Sequence, residues 1–355
     1  MIIGDDKKIC AFLNPKYVFI PIKSKNIKEI LVKDNSYVYK FDKIIEGDKD
    51  IYSSISGRVL GIKNMYYKNG VYPSLVIEND FTESVRKRVS AVKNIKNYNT
   101  EEAYDLLLKF GIDLNKIKTN NILVVNTIDL EQNIDINKYV IEDKIEKLYI
   151  TISKIISMLK FKQAYVLVKS NEEDLLKKCT REARYYHNIR VKTIRKSYPV
   201  YSDKIIKKEL DENNVTIVSM DLINKIYHIL KRRTPIVEVY FSILGDSVSV
   251  KKTYYVKKYS LLSELFLKHA DFTTKNVEVF INGLYTGEEV HSLNYVIDDD
   301  VRCVIINKKG TFSEKENSCE YCEKNCPLNL NVKYSDSLNS LTCPTYIKST
   351  LEIEP

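Results

Sequence analysis

The spacing of apolar residues changes period twice along this 355-residue chain, and the two changes divide it into blocks of different secondary structure. Residues 15–80 read as short strands. Tyr17–Pro21, Ile30–Val32, Tyr37–Tyr39 and Arg58–Ile62 are β-branched or aromatic runs, separated by polar turns at Lys33–Asn35 and Glu46–Asp48. From Asn99 the period becomes helical: Thr100, Glu101 and Glu102 open an acidic first turn, Ala103, Leu106, Leu107 and Phe110 share a face, and Gly111 stops it. Strands at Ile122–Asn126, Ala164–Val168, Arg190–Ile194 and Val215–Val218 then alternate with helices through Ile145–Leu159, Glu172–Tyr186 and Met220–Leu230. That alternation predicts an α/β layer fold. Residues 235–310 return to strands at Ile236–Phe241, Lys252–Val256, Val277–Ile281 and Val301–Ile305. They contain one helix at Ser260–His269, with Ser260 as N-cap, and an Asn282-Gly283 turn.

The runs over residues 33–62 match the two hairpins of a barrel-sandwich hybrid, with Gly57 supplying a turn geometry that a Cβ forbids. A carrier domain of that kind needs a lysine at its hairpin tip. Ile55-Ser56-Gly57 stands there, so no swinging arm is expected. The last β block, a small sheet crossed by one helix, suggests a β-grasp unit. In the middle block no glycine occurs between Gly111 and Gly245. Phosphate-cradling loops need glycine for the tight turn and for close backbone approach. The scaffold of a nucleotide or flavin site is therefore predicted without its usual loop. The chain is too long for a single core, and the expected domains are 1–85, 86–234, 235–310 and a cysteine-rich tail at 311–355.

Four of the seven cysteines, Cys319, Cys322, Cys326 and Cys343, fall in that tail as C-x2-C-x3-C-P…C-P. Cys10, Cys179 and Cys303 lie in apolar or helical contexts and read as packing. The start, MIIGDDKKICAF, has no apolar leader, and no run of about 18 apolar residues occurs, which predicts a soluble, cytoplasmic chain. In a reducing compartment clustered thiols point to metal before disulfide. Thiolates suit iron–sulfur and zinc alike, so ligand type leaves a cluster, a zinc ion or unligated thiols open.

The net charge of +9 is spread in short clusters such as Lys207-Lys208, Lys231-Arg232-Arg233 and Lys251-Lys252. No long basic run accompanies a reading motif, which argues against nucleic acid. The clusters read as solvated faces, or as a docking patch for an acidic partner or membrane surface. His187, His228, His269 and His291 lack metal spacing, and Ser53, Ser54 and Ser56 have no histidine near them in sequence. Asp298-Asp299-Asp300 reads as a polar turn in preference to a cation site.

Taken in order, these blocks resemble the RnfC family, the C-type component of the Rnf electron-transport complex, together with its proline-reductase-associated relatives. The resemblance is carried by IYSSISGRVLGI at 51–62, LVIEND at 75–80, SYPVYSDK at 197–204, TPIVEV at 234–239 and CPLNL at 326–330, and spans about residues 15–345. It implies a middle domain related to the flavin- and NADH-binding subunit of respiratory complex I. It also implies an SLBB domain of the β-grasp type at 235–310, used for docking, and a ferredoxin-like tail. The family's glycine-rich loop after the first helix of the middle domain is replaced by FGIDLNKI at 110–117. Its N-G-A-E-C-E-P becomes NTIDLEQ at 126–132, where Asn126, Asp129 and Glu131 keep the polar positions of a vestigial flavin site. Neither FMN nor NADH is expected to bind.

The family ends in two C-x2-C-x2-C-x3-C-P motifs that hold two [4Fe–4S] clusters. On that pattern Cys319, Cys322 and Cys326 are the second to fourth cysteines of the first motif, with Glu316 in place of the first. Cys343-Pro344 is the end of the second. The resemblance thus implies one [4Fe–4S] cluster on four cysteines, with zinc as the alternative. The expectation is an RnfC-like electron carrier or accessory subunit, and not an autonomous NADH dehydrogenase. Its partner would be an oxidoreductase or an Rnf-type membrane complex. The chain would be cytoplasmic, at most peripheral at the inner face of the cell membrane. A non-catalytic scaffold with a structural four-cysteine zinc site is the alternative.

Overall fold

The computed structural model describes residues 9–23, 27–68, 70–129, 131, 134–194, 202–284 and 287–310. The first strand, β1 (Ile9–Phe12), belongs to the last sheet of the chain. It is followed by β2 (Tyr17–Pro21), β3 (Ile27–Ile30), β4 (Tyr37–Val38), β5 (Lys43–Gly47), β6 (Ile51–Tyr52), β7 (Gly57–Tyr67) and β8 (Gly70–Asn79). β2, β8, β7 and β4 form one antiparallel sheet in that order, and β3, β5 and β6 a second. Alternating side chains from both sheets, among them Val18, Ile20, Ile44, Ile45, Val59, Leu75 and Ile77, close on one core. Gly57 opens β7, and a Cβ there would lie 1.8 Å from the Glu78 carbonyl oxygen. Close approach of β8 demands this glycine, and not the turn that its sequence context suggested.

A central α/β unit follows: α1 (Thr100–Lys109), β9 (Ile122–Asn126), α2 (Ile136–Leu159), β10 (Gln163–Lys169), α3 (Glu173–Ala183), β11 (Ile189–Ile194), α4 (Asp203–Leu210), β12 (Val215–Ser219) and α5 (Met220–Arg232). Its four strands are all parallel, in the order β11-β10-β9-β12. Strand parity divides the core. Leu123, Val125, Val166 and Val218 face α1, α2, α3 and α5, while Ile122, Val124, Leu167 and Val215 face Ile205 and Ile206 of α4. Both faces are covered, which is why these strands read as unbroken apolar runs. α1 begins with a capping box: Asn99 Oδ1 accepts from Glu102 N–H at 2.8 Å, and Glu102 Oε2 accepts from Asn99 N–H at 3.2 Å.

The sequence pattern placed α2 from Ile145, whereas the helix starts at Ile136 and kinks at Lys144, where φ is −135°. Ile136 and Val140 before the kink pack on the last sheet, and Leu148, Ile152 and Ile155 after it pack on the central core. One helix thus serves two cores, and its apolar stripe breaks at the kink.

The last sheet comprises β13 (Glu238–Leu244), β14 (Lys252–Lys257), β16 (Val277–Ile281), β17 (Glu288–Val290) and β19 (Cys303–Lys308). Between them come β15 (Ser260–Leu261), α6 (Leu262–His269) and β18 (Val296–Ile297). The sheet order is β1-β14-β13-β19-β16-β17, with β1 added in parallel beside β14. Leu262, Leu265 and Phe266 of α6 cover one face. Ser260 does not cap α6, whose N-cap is Leu261. Ser260 lies in β15 and donates to the Lys257 carbonyl at 2.8 Å.

Candidate functional site

The four tail cysteines, Cys319, Cys322, Cys326 and Cys343, lie outside the described residues. Among the described residues, no group of three or more His, Cys, Asp and Glu side chains is placed to hold a metal ion. Cys179 and Cys303 are buried, and burial pushes both thiols up, Cys179 to about 11. Both are packing residues in the protonated form.

In a parallel sheet of this order, the C-terminal ends of β9 and β12 form the switch point where such folds place a ligand. Asn126 ends β9, and its Oδ1 accepts from Ile128 N–H at 3.0 Å, turning the chain sharply. Thr127 Oγ1 donates to the Leu167 carbonyl. Asp129 Oδ2 accepts from Asn137 N–H at 2.9 Å, in the first turn of α2. Burial drives the Asp129 carboxyl up to about 7, against the opposing pull of Arg302, the Asn137 amide and Lys169.

Glu131 reaches out of the central unit. It is 1% exposed, and its Oε2 accepts from Leu284 N–H at 2.7 Å in the turn after β16. A Cβ at Gly283 would lie 2.1 Å from Glu131 Oε1, so that turn needs a glycine to admit the carboxylate. Asn282 at the same turn accepts from Arg302 N–H at 2.7 Å and donates to the Asp300 carbonyl at 2.5 Å. Arg302 in turn donates to Asn137 Oδ1 at 3.4 Å. Ile134, Ile136, Val140, Phe280, Leu284 and Cys303 pack together beneath these polar bonds. The structure therefore brings Asn126, Asp129 and Glu131 into one loop, with each side chain accepting from a backbone amide of this chain. Asn137, Asn282, Gly283 and Arg302 complete the joint. Of these only the Asn282-Gly283 turn had a sequence signal.

A second charged cluster joins the N-terminal unit to the last sheet. Lys257, with a side chain 1% exposed, pairs with Glu238 at 3.3 Å and Glu83 at 3.0 Å, and Lys40 pairs with both carboxylates. Burial would raise the Glu238 carboxyl, but Lys257 and Lys40 hold it below its usual range. Nearby, Ser54 donates to the Lys258 carbonyl at 2.7 Å, and Ser53, Ser54 and Ser56 are fully buried. The hairpin tip that would carry a swinging arm is thus packed against Lys258. The Asp298–Asp300 turn is also tied into the fold: Asp298 is buried, and the exposed Asp299 pairs with Lys225 at 2.7 Å and with Lys258 at 2.6 Å, joining α5 to the last sheet. A cleft of about 570 Å³ lies between the 92–98 segment and α1, lined by Tyr98, Glu102, Asp105, Leu106, Lys109 and Arg233 among others.

No protein-family profile matches the chain. It is 21% identical, over 88% of its length and 73% of the relative's, to the C subunit of the ion-translocating oxidoreductase complex of Buchnera aphidicola subsp. Acyrthosiphon pisum (strain APS). Among solved structures it is similar to chains of an NAD+-reducing [NiFe]-hydrogenase in the air-oxidised and H2-reduced states. The identities are 10% and 9%, with TM-scores of 0.44 and 0.45. Those alignments cover 53% and 62% of this chain, which spans 40% and 45% of the hydrogenase chains. The chain is thus a mixed α/β protein with a distant likeness, over most of its length, to the C subunit of an ion-translocating oxidoreductase complex.

Proposed function

We propose that this chain is an electron-transfer protein of the RnfC type, acting as an accessory subunit or carrier beside a partner oxidoreductase or membrane complex. The observation that carries the reading is the likeness to the oxidoreductase-complex component over 88% of the chain. Cys319, Cys322, Cys326 and Cys343 would hold one [4Fe–4S] cluster, which when bound supplies one-electron transfer. Four soft thiolates fit that group, and they fit zinc equally. The domain limits proposed are 1–85, 86–234, 235–310 and 311–355, with β1 contributed by the first domain to the sheet of the third. Two antiparallel sheets around one core support a barrel-sandwich N-terminal domain. The order β14-β13-β19-β16-β17 with one crossing helix supports a β-grasp domain of the SLBB type.

The chain's own residues do structural work at the proposed remains of the flavin site. Asp129 and Glu131 hold the amides of Asn137 and Leu284, and so fix the last sheet against the loop after β9. That use of the carboxylates, with the missing glycines, supports a function without flavin or NADH. The described residues include no helix long and apolar enough to cross a membrane, and the proposed location is cytoplasmic with peripheral attachment.

Iron and acid-labile sulfide are to be measured on anaerobically purified full-length chain, with electron paramagnetic resonance after reduction. One cluster per chain, lost on Cys322→Ser, is expected. A colourless chain holding one zinc that survives dialysis would replace this reading with the scaffold one.

A further inference from the structure

We infer that the segment at 87–96 and the end of α5 together form a basic face that binds anionic lipid headgroups. This deepens the peripheral-membrane part of the function proposed above. Residues 86–98 carry Arg86, Lys87, Arg88, Lys93 and Lys96 and no acidic residue, and α5 ends in Lys231-Arg232-Arg233. These segments are far apart in sequence, and backbone bonding joins them. Val92 N–H donates to the Lys231 carbonyl at 2.9 Å, and Lys231 Nζ donates to the carbonyls of Val92 at 2.6 Å and Lys93 at 2.9 Å. Lys231 is consumed in building the face, and Arg86 is paired with Asp42 at 2.8 Å.

The other six cations, Lys87, Arg88, Lys93, Lys96, Arg232 and Arg233, are exposed, and among the described residues none makes a salt bridge. Four lysines that lie within the fold behave differently: Lys40, Lys225, Lys257 and Lys258 pair with carboxylates. Asp42 is taken up by Arg86, and in the adjoining cleft Glu102 and Asp105 are accompanied by Arg233 and Lys109, so the face keeps a net positive charge.

The form of the face selects among polyanions. Every residue from Arg86 to Ala91 is exposed, and residues 86–97 contain no aromatic side chain on which bases could stack. It also lacks the apolar centre around which a stable protein interface is built. Exposed apolar side chains occur singly, at Phe81 and Val89, where they can dip to headgroup level. Clustered Lys and Arg without an apolar centre fit a diffuse anionic plane.

The test is co-sedimentation of the full-length chain with phosphatidylcholine vesicles, with and without phosphatidylglycerol, across a salt series. Binding is expected only with phosphatidylglycerol, falling steeply with salt. Replacing Lys87, Arg88, Lys93 and Lys96 together by Gln should weaken it at least about tenfold. The same loss of charge at Arg58, Lys118, Lys204 and Lys275, scattered over the three units, should leave most of it. Circular dichroism of both variants is to establish that they fold. Equal losses in the two variants would reduce the effect to net charge and overturn the proposal. So would indifference to phosphatidylglycerol, or binding of soluble poly-glutamate in place of vesicles, which would point to an acidic protein partner. Metal analysis of the same sample keeps this result separate from that of the electron-transfer reading.

Discussion

Replacing Glu131 by alanine should loosen the joint between the central α/β unit and the last sheet. The substitution removes the acceptor, 2.7 Å away, of the Leu284 N–H, in a turn where Leu284 is 5% exposed. A buried backbone donor that loses its partner costs roughly 1–3 kcal/mol, so the expected loss lies in that range. Glu131→Gln keeps an amide oxygen at the same reach and should cost less. Gly283→Ala attacks the contact from the other side: its Cβ would stand 2.1 Å from Glu131 Oε1, at a φ of +138°. Overpacking of this kind costs roughly 1–3 kcal/mol, and the backbone strain about 1 kcal/mol more. With Glu131 already alanine the steric part disappears. The double variant should therefore be more stable than the sum of the singles by about 1 kcal/mol or more. Urea unfolding followed by circular dichroism gives the stabilities, and hydrogen exchange at the 277–284 segment reads the joint itself. Additive losses, with exchange of that segment unchanged in Glu131→Ala, would refute the account of Glu131 as the tie between the units.

Two further perturbations probe the buried charges. Asp129 keeps its proton up to about pH 7 in the folded chain, whereas its ordinary value is 3.8, so its stabilising contribution is fully present below about pH 4 and is lost as pH rises towards 7. Asp129→Asn should flatten the thermal stability between about pH 5 and 7, where one pH unit is worth about 1.4 kcal/mol in the parent chain; an unchanged slope would assign the effect elsewhere. Glu238→Gln removes a counter-charge from Lys257, whose side chain is 1% exposed, and should cost about 3–5 kcal/mol in urea unfolding. Adding Lys257→Met should recover much of that loss, and a single-variant cost near zero would mean that Glu83 alone suffices for Lys257.

The kind and order of the elements are legible in the sequence wherever a strand or helix faces a single core. Strands buried on both faces, such as Ile122–Asn126, announce themselves as continuous apolar runs, and the stripe of Met220–Leu230 is that of a helix covering one sheet. Whatever depends on two units meeting was settled by their packing. Ile9–Phe12 has no partner near it in sequence, and only β14, more than two hundred residues later, makes it a strand. The first turns of α2 carry an apolar pattern written for the last sheet, so periodicity assigned to one core could not find them. Asn126, Asp129 and Glu131 stand out in the sequence as polar positions after a strand. That Glu131 should end on the amide of Leu284, in a turn opened for it by Gly283, follows from the packing of two units. A hydrogen bond between distant segments leaves no period in either of them.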